Sequence, residues 1–162
     1  MEKEKTSIQE MKERYEKLRK EYSLPDFEKL NEDFQIEKLS EIETEHLLRE
    51  IRKFISEKVS SYFKFLESIL NPMNAPVFIH SIVRVLSEEG KQKINQMYGE
   101  MEMVQLELLD LDTIYKEKKE ASFIKSTQEK WDIMKKEMEK IIKNIRSNWA
   151  NSEDQKENNY FN

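Results

Sequence analysis

Only two glycines occur in 162 residues, and most of the chain carries apolar side chains at intervals of three and four. Glycine weakens a helix interior, so its scarcity leaves long segments free to stay helical. Spacings of three and four place side chains on one face of an α-helix. Together these features predict an all-α fold. We expect a single-domain bundle of about 4–6 helices, near residues 6–22, 24–34, 45–70, 75–86, 88–111 and 117–149. A polar tail over 150–162 is expected to be disordered.

Charge is the main argument against a folded chain, because Asp, Glu, Lys and Arg make up 38% of it. Ile, Leu, Val and Phe nevertheless supply 41 residues, a quarter of the chain. Highly charged chains usually stay unfolded only below about 20%. Long helices with wide solvated faces reconcile the two numbers.

The individual stripes set the boundaries. Ile8, Met11, Tyr15, Leu18 and Tyr22 mark a first helix. Ser23-Leu-Pro-Asp26 reads as a stop and restart, with Ser23 able to cap and Pro25 tolerated in a first turn. Phe27, Leu30 and Phe34 follow on one side. Thr44 is a plausible cap for a long helix striped by Leu48, Ile51, Ile55, Val59, Tyr62, Leu66 and Ile69. The break at residues 71–76 is the clearest in the chain, because Pro72 cannot continue a helix and Asn74 can cap the next. A short helix then carries Phe78, Ile82, Val85 and Leu86 on one side and His80 and Arg84 on the other.

Ser87 with Glu88 and Glu89 predicts a capped start. Ile94, Met97, Met101, Val104, Leu108 and Leu111 form the next seam. A turn is placed over 110–116, with a continuous bent helix as the alternative, and Ser126-Thr-Gln-Glu129 also matches a capping box and offers a later start. Ile124, Trp131, Met134, Met138, Ile141, Ile142, Ile145 and Trp149 stripe the last helix.

Chemistry-bearing patterns are sparse. Phosphate-cradling loops need clustered glycines, whereas Gly90 and Gly99 are nine apart in helical sequence. Without cysteine there is no disulfide or thiolate metal site. Glu43-Thr-Glu-His46 has the spacing of half a di-iron motif. No second copy exists, so His46 is expected to be an exposed residue at a helix start, paired with Glu50. No catalytic residue, metal or cofactor is assigned, and an enzyme is not expected.

Two surfaces stand out. Met103 and Leu106 lie opposite the Met101, Val104 and Leu108 seam, so their helix is apolar on two sides. Either another helix of the chain covers them or a second molecule does. Lys125, Lys136, Lys140 and Lys143 cluster opposite the Trp131 stripe as a basic face. Solvation with Asp132–Lys136 and Glu139–Lys143 pairs accounts for them, and an acidic partner is the sharper reading.

The expected function is therefore a non-enzymatic protein-interaction or scaffolding module, binding a protein partner or itself. The alternative is a nucleic-acid-associated accessory protein using the lysine face. A net charge of −5 and 22 Lys to 6 Arg favour the first, since arginine is the residue of bidentate readout. No segment approaches the roughly 20 apolar residues of a membrane span. The charged N-terminus lacks an apolar signal core, which predicts a cytoplasmic location.

Overall fold

The structure, a computed structural model, describes the backbone of residues 2–160 and the side chains of residues 7–152. Six α-helices and two short 3-10 segments account for nearly all of it, and no strand occurs among the described residues. In chain order these are α1 (Glu2–Tyr22), α2 (Phe27–Phe34), α3 (Leu47–Leu70), α4 (Val77–Val85), α5 (Glu88–Thr113) and α6 (Glu117–Tyr160). The 3-10 segments span Ile36–Glu41 and Pro72–Asn74. Two compact units share these helices. The first comprises residues 1–60 and 104–130, and the second residues 61–103 and 131–162.

In the first unit, α1 folds back on α2 through Tyr15. This side chain is fully buried, and its hydroxyl donates to the Pro25 carbonyl at 2.7 Å. Its ring meets Phe27 edge to face, with centroids 5.6 Å apart. Burial pushes the Tyr15 hydroxyl up from its ordinary pKa, so it stays a neutral donor. The reversal between the helices uses Ser23 in the left-handed region (φ 54°). The Leu24 N–H then returns to the Arg19 carbonyl at 3.2 Å, and Leu24 is buried. This is a helix C-terminal motif that usually takes glycine. Ser23 therefore ends α1 rather than capping α2. Asp26 is the residue at the N-cap of α2, so Pro25 lies outside the helix. Gln35 (φ 55°) ends α2 in the same way, and the 3-10 segment begins at the next residue.

Other helix starts differ from the sequence expectations in detail. The Glu50 N–H bonds the His46 carbonyl, so His46 caps α3. Thr44 sits two residues out, its hydroxyl accepting from the His46 N–H at 3.0 Å. Pro76, not Asn74, precedes α4. Ser87 caps α5 as expected, accepting the Gly90 N–H at 3.1 Å. The turn expected over 110–116 lies between Thr113 and Glu117, and Ser126–Glu129 lies inside α6. No Gly or Pro follows Trp149, and α6 runs to Tyr160 where a disordered tail was expected. Residues 161 and 162 lie outside the described residues.

The core of the first unit contains a charge cluster within the apolar stripes. Arg52 of α3 and Glu120 of α6 are 4% and 0% exposed, with Arg52 Nε donating to Glu120 Oε2 at 3.0 Å. Arg52 Nη1 also donates to Asp112 of α5 at 2.8 Å, and that carboxylate reaches solvent. Burial alone lowers the guanidinium pKa, but the two carboxylates outweigh it and raise the value. A second polar contact joins Gln128 of α6 to Asp33 of α2 at 2.8 Å, both buried. Taking charges out of water is costly unless they are paired, so these contacts fix how the helices rotate and slide.

Neutralising Glu120 leaves the buried Arg52 guanidinium with only the solvent-facing Asp112 carboxylate. Glu120→Gln is expected to destabilise the chain by about 2–4 kcal/mol in urea unfolding, whereas Arg52→Met with Glu120→Leu should cost far less. A single variant within error of the wild type would show that the pair is not buried as described.

Candidate functional site

Helix α5 presents the feature that distinguishes it from an ordinary core helix. In the first unit, Val104, Leu108 and Leu111 are buried at 0%, 7% and 2% exposure. The residues between them face the other way, because 100° per residue carries Leu106 and Leu109 to the opposite side. They are 59% and 66% exposed. Met103, one turn earlier and in the second unit, is 60% exposed. Neither Met103 nor Leu106 is thus covered by another helix of the chain. The apolar stripe of α1 is occupied elsewhere, with Met11 and Tyr15 buried and α2 packed on Tyr15. Leu109 was not singled out in the sequence, although it follows Leu106 by the same step that joins Met103 to Leu106. Near this face, Asp110 accepts from Lys119 at 2.7 Å, and that hydrogen bond holds its carboxyl below the ordinary range.

The other methionines of α5 and α6 behave as core. Met97, Met101, Met134 and Met138 are all buried.

The second unit holds an apolar groove of about 560 Å³ between α3, α4 and α6, with Ile94 of α5 in its lining. Tyr62, Phe65, Phe78, Ile142 and Trp149 form much of its wall. Phe78 was expected to pack inward with Ile82. It is instead 60% exposed, its ring 6.3 Å from that of Trp149. The start of α4 directly after Pro76 leaves Val77 and Phe78 on the open first turn. The far end of α4 is tied down, since the Asn148 amide donates to the Val85 carbonyl at 2.8 Å.

The lysines are less uniform than the sequence suggested. Lys125 lies in the first unit and Lys136, Lys140 and Lys143 in the second, and all four are exposed. Lys140 is engaged, donating to Glu137 at 2.7 Å. That bond is the first cause of the lowered Glu137 pKa, with Lys93 contributing at 3.7 Å. The expected i,i+4 pairs are replaced by i,i+3 pairs, Asp132 with Lys135 at 3.5 Å and Glu137 with Lys140. The side chains reach the nearer neighbour one turn away.

The histidines remain apart. His46 is exposed, and its ring lies 4.3 Å from Tyr115 rather than against Glu50, while Glu50 accepts from Lys53. His80 and Arg84 are both exposed on α4. No group of three or more metal-ligating side chains occurs among the described residues, nor is any helix there long and apolar enough to cross a membrane. No family model, curated protein or solved structure matches the chain.

A lysine face that met nucleic acid would lose affinity steeply with salt, with a log–log slope of about −3 to −4 for four phosphates. With Lys140 held by Glu137, we expect no sub-micromolar binding to any duplex or single strand in a filter assay at near-physiological salt. Replacing Lys136, Lys140 and Lys143 by Gln should then change nothing. Tight binding abolished by that triple variant would put a nucleic-acid role first.

Proposed function

We propose that the chain is a non-enzymatic protein-interaction module that binds another protein through the outer side of α5. The observation that carries this reading is the exposure of Leu106 and Leu109, 59% and 66%, on a helix whose opposite side is already buried. Scattered exposed leucines need no explanation. Two leucines one turn apart on the same side form a stripe suited to a partner helix, which reads anchors at i and i+3. Burying each leucine would contribute roughly 1.5–3 kcal/mol before the cost of association.

The acids at the stripe favour selectivity over general stickiness. Glu107 lies at its edge and Asp110, held by Lys119, within it, so a partner carrying basic residues around an apolar ridge fits better than one with acids there. A second copy of this chain is the other occupant that light scattering detects.

The test is the double variant Leu106→Glu with Leu109→Glu. Both positions face solvent, so the melting transition should move little, each change amounting to about 0.5 kcal/mol or less. A partner captured by the wild-type chain should be lost, and any concentration-dependent mass in light scattering should fall to that of the monomer. A large drop in stability would mean that the stripe is covered within the chain. An unchanged partner set would mean that contact is made elsewhere.

A further inference from the structure

The groove of the second unit is chemically distinct from the α5 stripe and does not depend on it. Its volume of about 560 Å³ lies within the 300–1,000 Å³ typical of small-molecule sites. That is too small for a helix, which is roughly 10–12 Å across with its side chains. The walls are aromatic and aliphatic, and Arg146 is the one charged residue among those lining it. Arg146 is exposed, and among the described residues no carboxylate shares the lining with it. It lies one turn beyond Ile142 on α6, and Ile142 is 42% exposed at the groove. An apolar trough with a single unopposed guanidinium is complementary to a molecule with an apolar body and one anionic end. A guanidinium fork matches a carboxylate in shape as well as in charge.

We propose that this groove binds a single-chain carboxylate amphiphile, its alkyl chain lying along Phe65 and Ile142 with the Phe78–Trp149 ring pair at one side and its carboxylate on Arg146. Phe78 and Trp149 pair ring to ring at one side of the groove, with centroids 6.3 Å apart, and the Asn148 amide holds the adjoining turn of α6 to the end of α4. The walls therefore keep their spacing without ligand, which lowers the ordering cost of binding.

The test is calorimetric titration of the full chain with sodium decanoate below its micellar range, beside decanol as the neutral match of equal length. Decanoate should bind saturably at one site and more tightly than decanol. Arg146→Gln should weaken decanoate about three- to fivefold, as expected for one solvent-exposed charge pair, and leave decanol unchanged. Ile142→Glu places an acid at the groove and should weaken decanoate strongly, with the melting temperature confirming an intact fold. Absence of saturable decanoate binding overturns the proposal. So does decanoate binding that matches decanol and ignores Arg146→Gln, or that survives Ile142→Glu in a folded protein.

Discussion

Arg52 and Glu120 form an ion pair with almost no access to water, and the first unit is organised around it. A buried pair is rarely worth more than well-packed apolar residues, but misplacing either member is heavily penalised. The contact therefore acts as a register mark. It fixes α3 against α6, and through Asp112 it fixes the last turn of α5 against both. Once α5 is held at that rotation, Val104, Leu108 and Leu111 must point inward. Leu106 and Leu109 are then driven outward by helical geometry, so their exposure follows from the core.

The two apolar surfaces differ in kind. The α5 stripe is convex and carries acids, a form that suits the ridge of another helix. The groove of the second unit is concave, aromatic and marked by a cation, a form that suits a small amphiphile. The lysines of α6 are a weaker surface than either, since one of the four is held by Glu137 and acids are interleaved along the helix.

Most helices were legible because a spacing of three and four is a direct consequence of helical geometry, and α3 with Leu48, Ile51, Ile55 and Val59 is the plainest case. The two left-handed caps were missed because Ser23 and Gln35 lack the glycine signature of such sites. The buried charges were missed for another reason. Arg52 lies at the edge of the α3 stripe, next to Val59 on the wheel, and Glu120 lies in line with Ile124 and Trp131. A charge inside an apolar stripe is a visible signal, but its partner is 68 residues away, and no local pattern joins them. The groove was illegible because it is a space between helices. Phe78 belongs to the apolar side of α4 by periodicity, yet at the first turn after Pro76 that side opens outward.

The account rests on α5 having one side in the core and the other free. Methyl NMR of the dilute, monomeric chain with a soluble paramagnetic co-solute measures this directly, leucine by leucine. Leu106 and Leu109 should relax strongly, and Leu108 and Leu111 should be shielded. Equal shielding of all four would contradict the account, because the outer side of α5 would then be covered within the chain itself.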